Sequence, residues 1–304
     1  MKLRCAGCAG CCVDWRPIAP DASETRGSNV GGRRPDDRRP PLDDVANLAP
    51  LTRDEVVRYL DRGVADALIP RLFEPAERDE VVTIDGVALA AVDGRPVFMI
   101  GLYKPPKPVA PVGTETVRWL DTCVFLDPTT LQCRIHGDED LYPRTCATYP
   151  AHNLALDAET ECERVEAAGG GERLLDPNVP DDIPPPAFGP HALGATIFAY
   201  PDPDDLAGVV DRLRRGESTF DDRARFIGAA VGSRPGSLSV DRDRMGAAHE
   251  RVRGADSWAG RAIRSWTERA GKRGEPAAVA DTERDALVGE LEDEAGAPGT
   301  PGWQ

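Results

Sequence analysis

Lysine, histidine and aromatic residues are scarce in this 304-residue chain. Lys2, Lys104, Lys107 and Lys272 are its four lysines, so nearly all of the 37 basic side chains are arginine. Aromatics are 6% of the sequence, which leaves Val, Leu, Ala and Ile to build a core. The 40% hydrophobic content is enough for one large domain or two small ones. Net positive charge is missing as well. At a formal net charge of -15 the long-range field repels nucleic-acid backbones and anionic lipid, so neither is expected as a main partner. An acidic surface with arginine in place of lysine suits a salt-adapted cytoplasm, and high-GC coding produces the same bias. No apolar run approaches the roughly 18 to 20 residues needed to cross a bilayer, so no membrane partner is expected either.

A secretory signal is also lacking. The start, MKLRCAGCAGCCVDW, is basic but has no apolar stretch before its first cysteines, and Arg33-Arg34 is followed by the polar PDDRRPPL, unlike a twin-arginine signal. The expected compartment is therefore a reducing cytoplasm, where clustered thiols hold metals or do redox chemistry and are not cross-linked.

What the chain does have is eight cysteines: Cys5, Cys8, Cys11 and Cys12, then Cys123, Cys133, Cys146 and Cys162. Structural cysteines scatter singly, whereas four of these fall within CAGCAGCC. A Cys-x2-Cys segment lets two thiolates meet one metal, and the intervening glycine eases the tight backbone. Two overlapping copies give C-x2-C-x2-C, similar to the spacing that grips an iron-sulfur cluster in bacterial ferredoxins, without the C-x3-C-P completion. Adjacent Cys11 and Cys12 project in different directions, which predicts different metals for the two or one spare thiol. The eight thiols could complete two zinc sites, ligate two iron-sulfur clusters, or leave a reactive pair beside one site. CVFLDPTTLQCRI reads as a β-hairpin with a thiol near each end. Cys146 sits in LYPRTCATYP between stiffening prolines, and the acidic DAETECERVE around Cys162 would raise its pKa in the absence of a nearby cation.

Along the chain, residues 19 to 41 lack apolar periodicity and read as a disordered insertion. Thr52 and Glu55 form a capping box for a helix with Val56, Val57, Leu60 and Val64 inside, which Ala67, Leu68 and Ile69 extend to Pro70. VVTI, VALAAV and PVFMI, joined by Asp85-Gly86 and Asp93-Gly94, predict a three-stranded antiparallel meander. The Pro-rich KPPKPVAPV then separates this sheet from the second cysteine group. Gly169-Gly170-Gly171 is a flexible connection, since no Gly-Lys-Ser/Thr follows, and IPPP at 183 to 186 marks another loop. From 204, Leu206, Val209, Val210 and Leu213 line one helix face. Thr219 and Asp222 cap a second helix, and a third runs from about 240 to 271. The fold class is thus α+β: a cysteine-rich metal-binding domain over 1–200 with a short antiparallel meander, an α-helical region over 201–272, and a mostly disordered acidic tail over 273–304 with a short helix around Leu287 and Leu291.

CAGCAGCC, CVFLDPTTLQCRI and YPRTCATYP together resemble the YkgJ-like cysteine-cluster family, whose pattern is a CxxCxxCC start, C-x-F-L-D, C-x-I-Y and R-P-x-x-C-x-x-Y/F-P. The resemblance spans roughly residues 1 to 165 and implies a zinc- or iron-chelating domain with Cys5, Cys8, Cys11, Cys12, Cys123, Cys133 and Cys146 as ligands. His136 stands where that pattern has Tyr, and Tyr142 replaces the Arg of Arg-Pro, with Arg144 two residues on.

Outside the thiols the candidates are weaker. His136 and His152 flank the Cys133 to Cys146 segment and imidazole suits zinc or iron, but a lone His in a polar loop more often only hydrogen-bonds. Asp138, Glu139 and Asp140 read as a solvated loop, and Trp258 and Trp266 as core. The expected function is binding of zinc or an iron-sulfur centre, including a [4Fe-4S] cluster, through clustered thiolates. Flagellin lysine methylases are similar to this family in their cysteine module, so a methylase-like enzyme or an iron-sulfur oxidoreductase is one alternative, although no Gly-rich strand-turn-helix for a methyl donor or nucleotide is visible. The other is a structural zinc module whose 201–272 helices bind a protein partner.

Overall fold

Both Asp-Gly dipeptides adopt the positive φ values that a two-residue hairpin turn requires: 54° and 76° at Asp85-Gly86, 52° and 70° at Asp93-Gly94. The computed structural model of the chain describes residues 1–18, 39–112, 114–183, 191–272 and 278–302. In order these residues form β1 (Lys2–Leu3), α1 (Arg53–Asp61), β2 (Leu68–Leu72), β3 (Glu80–Ile84), β4 (Val87–Val92), β5 (Arg95–Leu102), β6 (Pro106–Val109) and β7 (Arg118–Asp121). There follow α2 (Arg144–Thr148), α3 (Ala151–Ala155), α4 (Glu161–Val165), β8 (Leu174–Asp176), β9 (Phe198–Ala199), α5 (Val209–Arg214), α6 (Phe220–Gly232), α7 (Arg242–Arg253), α8 (Trp258–Gly271) and α9 (Asp281–Val288). The protein is mixed α/β, with antiparallel sheets and C-terminal helices.

The meander β3-β4-β5 makes up one side of the main sheet, which is larger than these three sequence runs. Strand order is β2-β5-β4-β3, with the short β9 also pairing β5. β2 occupies the residues expected to prolong the first helix. α1 keeps its Thr52–Glu55 capping box but ends at Asp61, and Gly63 at φ 70° turns the chain away, after which Leu68 to Leu72 pair with Leu102 to Phe98. Pairing with β5 buries Leu68 and Leu72, and this outweighs the local helical pattern.

The Pro-rich stretch expected as a separator contains β6, which pairs with β7. The carbonyls of Tyr103 and Pro105 accept from the N–H groups of Val124 and Thr122, so odd-numbered positions face the neighbouring chain and Pro106 and Pro108 face away, where no N–H is needed. The single helix expected over 240–271 is two. Asp66 accepts from the backbone N–H of Ser257 at 2.9 Å and from its hydroxyl, and Ser257 caps α8 through Gly260, which breaks the run after Gly254.

One apolar cluster joins the sheet, α1, the second cysteine region and the later helices, with Val13, Val56, Tyr59, Phe98, Ile100, Phe125, Phe226, Val252 and Ile263 among its members. Phe98 meets Phe226 edge-to-face at 5.0 Å between centroids, and Trp258 meets Phe125 at 5.8 Å. A smaller cluster gathers Ala262, Trp266, Leu287 and Val288 beside Trp119, so Trp258 and Trp266 both serve packing and the helix around Leu287 is present as α9. Most of the expected disordered insertion, residues 19–38, lies outside the described residues, as does 184–190 with most of IPPP. Its end is described: Arg39 pairs with Asp79 at 2.5 Å and Pro41 bridges Phe73.

Candidate metal centre

CAGCAGCC is a chain of tight turns. Cys8 N–H donates to the Cys5 carbonyl at 2.9 Å, and Cys12 and Val13 N–H both donate to that of Ala9 at 2.9 and 3.0 Å. The two ends of the motif attach to different parts of the molecule. At its start, Lys2 and Leu3 pair with Asp176 and Leu174, and Arg4 N–H donates to the Arg173 carbonyl at 2.9 Å. Gly10 lies so close to α4 that a Cβ there would stand 2.6 Å from Val165 Cγ2. At its end, Val13 bridges Thr122, and Cys123 N–H donates to the Cys12 carbonyl at 2.8 Å.

CVFLDPTTLQC is not a pair of regular strands. It is a tight turn closed by one antiparallel bridge, Leu126 to Cys133, with Asp127 N–H donating to the Gln132 carbonyl at 2.9 Å. The Asp127 carboxylate organises its tip, accepting from Thr129 N–H and hydroxyl at 2.8 and 2.6 Å. Beneath it sits a buried ion cluster that sequence reasoning missed. Lys107 Nζ is 2.6 Å from Glu292 Oε1 with both side chains fully buried, and it also donates to the carbonyls of Val124 at 2.8 Å and Leu126 at 2.9 Å. Arg134 reaches Glu292 Oε2 at 3.0 Å and the Pro298 carbonyl at 2.7 Å, and Trp266 Nε1 donates to Glu292 Oε1 at 2.9 Å. The acidic tail thus supplies the counter-charge for two cations behind the turn. Two lysines in apolar sequence, among only four in the chain, were the available signal.

Cys146 lies on α2, whose first N–H, that of Arg144, donates to Glu55 Oε1 at 2.7 Å, while the Thr145 hydroxyl donates to the Pro50 carbonyl at 2.8 Å. Cys162 lies on α4, capped by a Thr160–Glu163 box and anchored by Trp15 Nε1 donating to Glu161 Oε2 at 2.8 Å. All eight cysteines are free. Cys5 and Cys11 are exposed, Cys123 is buried and the others are half-buried.

The thiols perturb one another electrostatically. Burial first, then the charges of Cys11, Cys123 and Cys133, push Cys146 well above the usual thiol range. Cys133 rises to about 12 through burial and the charge of Cys123, and Cys123 also rises through burial, opposed by Lys104 and Lys107. On the other side, burial and then Cys11 and Cys8 raise Cys5 to about 11, and burial with Cys11, Cys8 and Cys5 raises Cys162 to about 12. Desolvation, more than the acidic sequence around it, dominates at Cys162. Cys8 is raised likewise by burial. The Cys11 and Cys12 sulfurs are 3.9 Å apart: a hydrogen bond from Cys12 lowers Cys11, and the same bond with burial raises Cys12. Among the described residues no three His, Cys, Asp or Glu side chains are gathered into a group that could hold a metal ion as they stand.

The histidines and acids lie apart from this. His136 packs on Tyr142 at 5.0 Å between ring centroids, and His249 faces Asp221 at 3.3 Å. Asp138 Oδ1 accepts from the N–H groups of Asp140 and Leu141, both at 2.9 Å, and Asp140 pairs with Arg62 at 2.6 Å, so this loop is internally satisfied.

The chain belongs to a family of unknown function, DUF7531, which it matches over residues 1–304. No curated protein and no solved structure matches it.

Proposed function

We propose that the protein binds zinc or an iron-sulfur centre through its clustered cysteine thiolates. The observation that carries this is the gathering of eight free thiols from four separate stretches of chain: burial and then neighbouring thiols raise Cys5, Cys133, Cys146 and Cys162, while a hydrogen bond from Cys12 lowers Cys11. Negative charge crowded in this way is destabilised until a cation neutralises it. The donor chemistry fits, since thiolate sulfur is the ligand set of structural zinc and of iron-sulfur clusters. Among the described residues no three of these side chains are gathered as they stand, so the thiols would be drawn together on loading, and capture would release their protons and add its free energy to folding. Zinc would supply a structural cross-link without redox chemistry, whereas an iron-sulfur cluster would add electron transfer.

The resemblance of the four motifs to the YkgJ-like cysteine-cluster family supports the same reading. The chain's own contribution is orientation: the Asp127 turn and the Lys107–Glu292–Arg134 cluster hold Cys123 and Cys133, α2 presents Cys146, and α4 presents Cys162. Elemental analysis of protein purified anaerobically tests it, with at least one zinc or a brown iron-sulfur chromophore per chain as the expected result. Substoichiometric metal of every kind overturns it.

A further inference from the structure

We infer that Lys104 is the positioning cation of the thiol cluster: a buried ammonium whose counter-charge is the set of thiolates that a bound ion holds. The inference rests on the metal-binding reading above and adds the residue that makes the cluster favour an anionic, thiolate-rimmed centre.

Two of the four lysines are buried beside the turn that carries Cys123, and they are satisfied differently. Lys107 has Glu292 at 2.6 Å and the carbonyls of Val124 and Leu126. Lys104 is only 7% exposed, and its Nζ donates to the Cys11 carbonyl at 3.3 Å. Among the described residues no carboxylate comes within ion-pair distance of it. The acids around the motif are engaged elsewhere, Asp14 with Arg16 at 2.5 Å and Glu161 with Arg164 at 2.6 Å. Asp121 feels the charge of Lys104 without touching it, and burial and the charge of Asp14 push its carboxyl up to about 6, which makes it a poor counter-ion.

The backbone fixes where the ammonium stands. The Tyr103 carbonyl accepts from Val124 N–H and the Pro105 carbonyl from Thr122 N–H, both at 3.0 Å, which sets Lys104 opposite Cys123. Cys123 N–H in turn donates to the Cys12 carbonyl at 2.8 Å, so Lys104, Cys123 and the end of the motif share one short ladder. The charge of Lys104 favours thiolate at Cys11, Cys123 and Cys146, from three separate stretches of chain. At Cys11 it acts behind the hydrogen bond from Cys12, and at Cys123 and Cys146 it offsets part of the rise that burial causes. A buried ammonium without an anion is costly. Zinc or an iron-sulfur cluster ringed by thiolates keeps net negative charge, so loading supplies that anion, and Lys104 offsets the repulsion among the thiolates.

Two measurements on wild type, Lys104→Met and Lys104→Arg test this: zinc affinity of the reduced protein under argon, by competition with a chromophoric chelator, and the urea midpoint of the metal-free protein. Lys104→Met should weaken zinc binding roughly tenfold or more, and Lys104→Arg, which keeps the charge, should restore most of the loss. Metal-free Lys104→Met should have a midpoint no lower than wild type, because methionine fills the place of the lysine stem without burying a charge. A metal-free Lys104→Met protein that is unfolded or less stable than wild type makes Lys104 a structural prop and overturns the inference. So does a loss of affinity that arginine does not relieve, or zinc binding equal in all three, and either result leaves the metal-binding reading in place. No zinc bound by wild type, with no metal in the purified protein, overturns both.

Discussion

The thiols differ from one another in what holds them. Cys123 and Cys133 stand on the main core, above an ion cluster whose Lys107 and Glu292 side chains are fully buried. Cys5, Cys8 and Cys162 hang on a two-residue strand, a five-residue helix and one close glycine contact. The first kind of support is tertiary and does not depend on metal. The second is local and too short to persist alone. The contrast teaches that one chain can build some of its thiols into the core and hang others on short local elements.

The sharpest way to break the contrast is Glu292→Ala. It leaves Lys107 buried without its counter-charge, while Arg134 keeps Asp127 at 3.4 Å and Asp293 at 3.3 Å, a loss of about 3–5 kcal/mol by chemical denaturation if the cluster supports the core. A loss below about 1 kcal/mol would show that the tail is dispensable. Alkaline titration of the apo-protein comes next. Cys133 and Cys162 are raised to about 12 from the ordinary value of 9.0, so above pH 9 the unfolded chain loses protons that the folded chain keeps. Stability must therefore fall as pH rises from 9 towards 12, by up to about 1.4 kcal/mol per pH unit for each such thiol. A flat melting temperature over pH 9–11 would contradict it. Gly10→Ala drives a Cβ into Val165 and should cost about 1–3 kcal/mol, with loss of order confined to 1–18 and 161–176 in hydrogen exchange. Thr160→Ala removes the α4 cap at about 1 kcal/mol. The smallest effect is one of order: in apo-protein at pH 8, Cys11, exposed and lowered by Cys12, should be alkylated before buried Cys123, as peptide mapping would show.

Much of the fold was legible where the signal is local. Asp-Gly at 85–86 and 93–94 determines both hairpins, and Thr52 and Thr219 each sit in the expected capping box with an acid three residues on, whereas the Thr160–Glu163 box on α4 went unread. β2 was hidden because LIPRL has no period of its own and takes its conformation from β5. β6 was hidden because its prolines read as loop until the outward facing of alternate positions is known. The break between α7 and α8 depends on Asp66, almost two hundred residues away, accepting from Ser257.

For the site, the sequence by itself determined the candidate donors, since sulfur spacing of this kind is a property of a few consecutive residues. Tertiary structure alone decided which thiols are neighbours. Cys12 meets Cys123 through a backbone hydrogen bond across 111 positions, and the tail's Glu292 meets Lys107 across 185. Contacts of that span are set by packing of the core, and the residues flanking each partner carry no mark of the other.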